Sequence, residues 1–265
     1  MSDKSTPIGP PLPAATVVIL RDGREGLEVF MVVRHQEIDF ASGALVFPGG
    51  KVDPGDADAA WADLAPYTAA TPDRTFVVAA VRETFEEAGL VLARRRGTRA
   101  TLDAGDTHRL VETYRASLLA GKTTFLDLVR AEDLQLATDL MVPFAHWITP
   151  ERVGKRFDTH FLMVAAPVDQ LGAHDGGESV EGFWIAPRQA LRDAEAGTRT
   201  LVLPTQMNLT KLARATVAEA VAATRASPIV TVTQRIERTA NGRRLHIPAE
   251  AGYGVTEVLV PAPKR

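Results

Sequence analysis

Residues 82–90 read Arg82-Glu83-Thr84-Phe85-Glu86-Glu87-Ala88-Gly89-Leu90, and upstream stands Phe47-Pro48-Gly49-Gly50-Lys51-Val52-Asp53-Pro54-Gly55-Asp56. Wound as a helix, Glu83, Glu86 and Glu87 fall at i, i+3 and i+4, so three carboxylates share one face. Carboxylates packed this closely repel one another unless a cation sits among them. Hard oxygen donors on a short arc suit Mg²⁺ or Mn²⁺, ions that in turn bind phosphate oxygens. Val77, Val81, Phe85 and Ala88 repeat on the opposite face and would anchor the helix to a core. Gly89 is placed to end the helix in the left-handed conformation. Thr71-Pro72-Asp73 has the chemistry to open it, as N-cap, N1 proline and first-turn acid.

An Arg-Glu-x-x-Glu-Glu run also occurs on solvated helices, where it only makes i,i+4 pairs worth a few tenths of a kcal/mol. The upstream Gly49-Gly50 pair favours the other reading. Two glycines after a strand signal a turn with positive φ, or a backbone that a ligand approaches closely.

Together these residues resemble the Nudix box, Gly-x5-Glu-x7-Arg-Glu-hydrophobic-x-Glu-Glu-x-Gly-hydrophobic. The second half matches except at Thr84, a slot usually held by a large apolar residue. The first half matches with Asp56 in place of glutamate. The spacing departs from the pattern: 25 residues separate Asp56 from Arg82 where the family has seven. An insertion inside the box is a mark of the peroxisomal-type coenzyme A diphosphatases and their bacterial relatives. Phe40-Ala41-Ser42-Gly43-Ala44-Leu45-Val46, Trp147-Ile148-Thr149-Pro150 and Arg156-Phe157-Asp158-Thr159-His160-Phe161 also resemble that branch. The resemblance implies an α/β/α sandwich with a mixed sheet, a divalent cation on Glu83, Glu86, Glu87 and the Gly50 carbonyl, and Arg82 bracing the cluster, with Asp56 as a candidate partner. Aspartate is shorter than glutamate by roughly 1.5 Å, about one C–C bond, which argues against direct ligation by Asp56.

Composition suits such an enzyme. Of 265 residues, 45% are hydrophobic and 24% charged, enough to bury the core of one large domain. A net charge of −3 advertises no nucleic-acid surface. The absence of cysteine excludes disulfides and thiolate chemistry. No apolar run is long enough to span a membrane, and no secretory leader or peroxisomal Ser-Lys-Leu tail is visible, so a cytoplasmic location is expected. The expected partner is a small nucleotide, and a homodimer is left open.

Along the chain, residues 1–13 read as a Pro-rich disordered tail. Residues 14–225 read as the Nudix domain, with an insert at 57–71 and a helical annex at 101–146. Residues 226–265 read as a C-terminal β extension. Within the insert, Trp61, Leu64 and Tyr67 have helical spacing. Ala14–Leu20, Glu28–Arg34, Leu45–Phe47 and Phe157–Ala166 read as strands, and Ala186–Ala196 and Pro204–Ala222 as helices.

Hydrolysis at phosphorus also needs a proton acceptor. Glu178 and Glu181 precede Trp184 at a loop-to-strand position like the one that carries such a residue in relatives, although solvated loop acids would look the same. Arg34 and Arg156 are candidates for substrate phosphates, and surface ion pairing would account for either. His146 and His160 lack ligand spacing along the chain and read as packing residues. Alternation along Arg156–Phe161 would nevertheless aim Arg156, Asp158 and His160 to one face, which a solvated sheet edge would equally explain. The readings carried forward are a diphosphatase of coenzyme A or acyl-CoA, a diphosphatase of ADP-ribose, an NDP-sugar or a nucleoside triphosphate, and a non-catalytic Nudix-fold module.

Overall fold

Residues 14–20 are apolar at nearly every position because the strand they form is covered on both faces. The computed structural model describes residues 9–33, 43–69, 71–151, 155–167, 170, 182–213, 216–240 and 242–261. Arg34, Glu178 and Glu181 lie outside the described residues. In chain order the first strands are β1 (Leu12–Gly23), β2 (Gly26–Val33), β3 (Ala44–Val46), β4 (Gly49–Lys51), β5 (Ala93–Arg95), β6 (Leu134–Leu136) and β7 (Val142–Ile148). They are followed by β8 (Phe157–Ala165), β9 (Gly182–Ile185), β10 (Thr200–Leu201), β11 (Thr231–Thr233), β12 (Arg235–Thr239), β13 (Gly242–His246) and β14 (Glu257–Pro261). The helices are α1 (Trp61–Leu64), α2 (Arg74–Ala88), α3 (Ala104–Leu110), α4 (Ala116–Leu119), α5 (Phe125–Ala131), α6 (Pro187–Glu195), α7 (Leu203–Lys211) and α8 (Val217–Arg225).

A nine-stranded mixed sheet runs β10-β3-β2-β1-β8-β7-β11, with β4 paired to the start of β1 and β9 to β2. Strand β1 lies parallel to β8, and β11 parallel to β7. Ala15, Val17 and Ile19 pack into the core shared with α2, whereas Val18 and Leu20 pack into the one shared with α6, α7 and α8. The fold is thus an α/β/α sandwich, with helices on both sheet faces and near-continuous apolar strands between them. Among the described residues, no helix is long and apolar enough to cross a membrane.

Several boundaries differ from the sequence reading. Strand β1 begins at Leu12, inside the segment read as a tail, because Leu12 N–H donates to the Arg156 carbonyl and the Pro13 carbonyl accepts from Val52 N–H. The annex is helical only to Ala131, and Val142–Ile148 is a strand of the main sheet. The C-terminal segment is divided as well, with β11 on the edge of the main sheet and β12-β13-β14 in a separate small one. The run read as one helix from Pro204 is two, and Thr216 caps the second by accepting from Glu219 N–H. Asp73, rather than Thr71, caps α2, accepting from Thr75 N–H at 2.8 Å.

The insert packs into the α2-side core. Trp61 is buried, donates its indole N–H to the Gly55 carbonyl at 2.9 Å, and stacks on Phe125 with ring centroids 6.0 Å apart. Phe125 also meets Phe85 of α2 at 6.2 Å. One ring of the annex therefore joins the insert to the carboxylate helix. Trp61→Ala is expected to lower the unfolding free energy by about 3–5 kcal/mol, the usual cost of deleting a buried large aromatic. Trp61→Phe, which gives up the Gly55 bond, should cost roughly 1 kcal/mol for that bond, and urea unfolding followed by circular dichroism reads both.

Candidate active site

Helix α2 presents the two faces its sequence implies. Val77, Val81, Phe85 and Ala88 are fully buried, and Gly89 ends the helix at φ 63°, with its N–H on the Phe85 carbonyl. Thr84, at the departure from the family pattern, is also fully buried. Its hydroxyl donates to the Ala80 carbonyl at 2.8 Å, so no polar group is stranded there.

On the front face, Arg82 organises everything around it. Its Nε and one Nη lie 3.0 Å from the two oxygens of Asp56, in a bidentate pair. The same Nη donates to the Lys51 carbonyl at 2.8 Å. The other Nη reaches Glu83 at 2.8 Å and Glu86 at 3.2 Å. All five guanidinium donors are thereby engaged. Burial by itself would disfavour the Arg82 charge, but the Asp56 bond and the surrounding carboxylates hold its pKa above the usual arginine value. Asp56 also accepts from Asp53 N–H at 2.8 Å, capping the short turn at Pro54–Ala57. The aspartate at the family's glutamate slot is thus an arginine partner that closes the first half of the box onto the second.

The two glycines form the floor. Gly49 N–H donates to Glu87 at 2.8 Å. A Cβ on Gly50 would collide with the Glu83 carboxylate, so only glycine allows the carboxylate to rest against β4. The pKa of Glu83 is pushed up to about 7 by burial, opposed by Arg82 and reinforced by Glu87 and Glu86. Glu86 is raised too, mainly by burial. The raised pKa values mark carboxylates crowded in a largely buried setting, and that crowding, with the glycine cradle and an all-oxygen donor set, fits a divalent cation. In the structure the three carboxylates are turned toward Arg82 and Gly49 rather than gathered on one point. Among the described residues, the sole group of three such donors within 4.8 Å of one another is His146, Asp158 and His160.

Arg115 joins the cluster from the annex, and nothing in the sequence singled it out. Its Nε donates to the Glu86 backbone carbonyl at 2.7 Å across 29 residues of sequence. Burial lowers its pKa, while Glu86 and Glu87 act to raise it. It sits at Val111–Arg115, where the annex helix widens for one turn into π geometry, a distortion frequent at functional sites. Arg156 lies outside this cluster, donating to the backbone carbonyls of Thr149 at 3.0 Å and Gly9 at 3.5 Å.

The NUDT19 Nudix domain model matches residues 65–212, more than half of the chain, including the whole of α2. This chain belongs to the Nudix hydrolase family. Putative nudix hydrolase 7 of Caenorhabditis elegans is 30% identical over 188 residues, covering 70% of this chain and 56% of that protein. Acyl-coenzyme A diphosphatase NUDT19 of Xenopus laevis is 22% identical over 210 residues, covering 63% and 54% respectively. The chain spans about half the length of these curated relatives. A crystal structure of a Nudix hydrolase from Alicyclobacillus acidocaldarius superposes with a TM-score of 0.60 at 27% identity, covering 80% of this chain and 96% of that one. Within the family, this Nudix chain resembles the coenzyme A diphosphatase branch.

The burial and crowding of Glu83 make a stability prediction. Its carboxyl is raised from 4.5 to about 7, so its contribution to folding is complete below pH 4.5 and lost as pH rises through about 7. Glu83→Gln keeps an acceptor for Arg82 and removes the charge. The variant is expected to melt higher than the native protein at pH 8 without metal, with the gap closing at pH 5. It should also show a smaller rise in Tm on adding Mn²⁺, and scanning calorimetry at the two pH values checks both.

Proposed function

We propose that this chain is a divalent-metal-dependent diphosphatase that cleaves coenzyme A or acyl-CoA to 3′,5′-ADP and a 4′-phosphopantetheine product. The single observation that carries the chemistry is the crowded set of buried Glu83 and half-buried Glu86 and Glu87 seated on the Gly49-Gly50 cradle. The substrate class is taken from the branch that the chain resembles.

In this reading Glu83, Glu86, Glu87 and the Gly50 carbonyl hold Mg²⁺ or Mn²⁺. Such an ion neutralises non-bridging phosphate oxygens as charge builds on them. Asp56 and the Lys51 carbonyl fix the Arg82 guanidinium, which in turn orients Glu83 and Glu86. Arg115, anchored on the end of α2, offers positive charge to the substrate diphosphate. Water adds to one phosphorus, the bridging oxygen departs with the bonding pair, and a carboxylate takes the water's proton. Glu178 or Glu181, which precede β9 in the sequence, is assigned that proton. Arg34 and Arg156 are the cations proposed for the 3′-phosphate.

Glu86→Gln and Glu87→Gln should each lower kcat about 100-fold or more, a loss of roughly 2.7 kcal/mol, with circular dichroism unchanged. Glu178→Gln and Glu181→Gln, assayed in parallel, should show one of the two to be the base through loss of the acidic limb of the pH profile. Arg115→Gln should raise KM. Coenzyme A should be cleaved roughly tenfold faster than its 3′-dephospho form, the effect of one charge-assisted contact worth about 1.5 kcal/mol. Faster turnover of ADP-ribose or an NDP-sugar, with products resolved by mass, would instead assign the second substrate class.

A further inference from the structure

A polar cluster lies beyond the carboxylate site on the same face of the sheet. His160 stands opposite His146 on neighbouring strands β8 and β7, and Asp158 lies two residues before His160 on that face. The imidazoles stack in parallel, with centroids 3.9 Å apart and planes 8° from coplanar orientation. His146 Nε2 lies 2.5 Å from Asp158, and its Nδ1 2.8 Å from the Thr231 hydroxyl. Phe76 of α2 closes one side, edge-on to His160 at 4.5 Å. The cluster opens to solvent through Asp158, whose side chain is 31% exposed.

We propose that His146, Asp158 and His160 form a second metal site, selective for a borderline ion of the Zn²⁺ class rather than for Mg²⁺. Two imidazole nitrogens and one carboxylate oxygen are the donor set such ions prefer, whereas Mg²⁺ demands oxygen. The ligand atoms already lie within 4.8 Å of one another. Ligands around tetrahedral zinc stand roughly 3.3 Å apart, given bonds of about 2.0–2.1 Å. Asp158 must therefore retreat from His146 and His160 must turn inward, and both are side-chain rotations. The proton shared by His146 and Asp158 is the species the ion displaces. Thr231 completes the arrangement. Its hydroxyl can accept from Nδ1–H and leave Nε2 free to coordinate, the outer hydrogen bond characteristic of ligating histidines.

The two sites are close. Gly50, Ala15, His160, His146 and Thr231 form one lateral row across five strands. At about 4.8 Å per strand, His160 lies roughly 10 Å from Gly50. An ion here ties β7 to β8 beside the carboxylate site without sharing a ligand with it.

The test uses Co²⁺, whose visible absorption reports coordination, on the full chain carrying Glu86→Gln and Glu87→Gln, so that the oxygen site is disabled whatever its function. One equivalent of Co²⁺ should survive dialysis against excess Mg²⁺, with a tetrahedral spectrum and a higher Tm. His160→Gln and Asp158→Asn should each weaken binding tenfold or more, and His246→Ala should leave it unchanged. Retention of Co²⁺ by both ligand variants, displacement by Mg²⁺, or loss in His246→Ala overturns the site. Should a ligand variant fail to fold, anomalous diffraction from a Zn²⁺-soaked crystal of the native chain decides instead: a peak among the three side chains supports the site, and its absence at a saturating soak refutes it.

Discussion

The contact between Arg82 and Asp56 holds the two halves of the site together. A buried guanidinium is tolerated only when its donors are satisfied and its charge is matched. Here the match comes from four directions: Asp56 from the first half of the box, the Lys51 carbonyl from β4, and Glu83 and Glu86 from the same helix. Because that pair closes the loop, 25 residues can intervene between Asp56 and Arg82 without separating their ends. Lengthening a closed loop costs little, growing only with the logarithm of its length. Trp61, packed between Gly55 and Phe125, helps the insert recover part of its ordering cost through burial.

The sheet supplies the platform. Strand β1 is buried on both faces, and β4 pairs with its first residues, so Gly49 and Gly50 are fixed by main-chain bonds rather than by a mobile loop. Helix α2 lies over that edge, and its fully buried back, from Val77 to Ala88, sets the height at which the glutamates meet the glycines. The annex adds Phe125 under the helix and Arg115 at its end. Residues from β4, the insert and the annex thus hold the carboxylate cluster in place, as precise positioning requires.

Much of this was legible in sequence where chemistry and period coincide within a short window. The i, i+3, i+4 carboxylates, the apolar back of α2 and the Gly89 terminus are all local. So is the both-faces-buried run of β1. The features that sequence hid are non-local or locally disguised. Strand β7 carries Pro143, and its pairing with β8 shifts register between Pro143 and Ala145, which breaks the alternation that would mark a strand. Arg115 reaches α2 from 29 residues away on an ordinary-looking helix. His146 and Asp158, 12 residues apart, meet only because adjacent strands place them diagonally, so their spacing along the chain carries no ligand pattern. The pairing of Asp56 with Arg82, by contrast, was open to reading from the shortened side chain at the family's glutamate slot, and its bidentate geometry accounts for that departure.

A double-mutant cycle on the closing contact tests this account most directly. Asp56→Asn removes the charge and Arg82→Lys the paired geometry, and the unfolding free energies of the native protein, both single variants and the double variant are measured in urea at pH 7. The account predicts that each single change destabilises the fold by about 2 kcal/mol or more, as breaking a buried ion pair does, with a coupling energy above about 1 kcal/mol. Additivity to within roughly 0.5 kcal/mol would contradict it, because the two halves of the site would then be joined by something other than this pair.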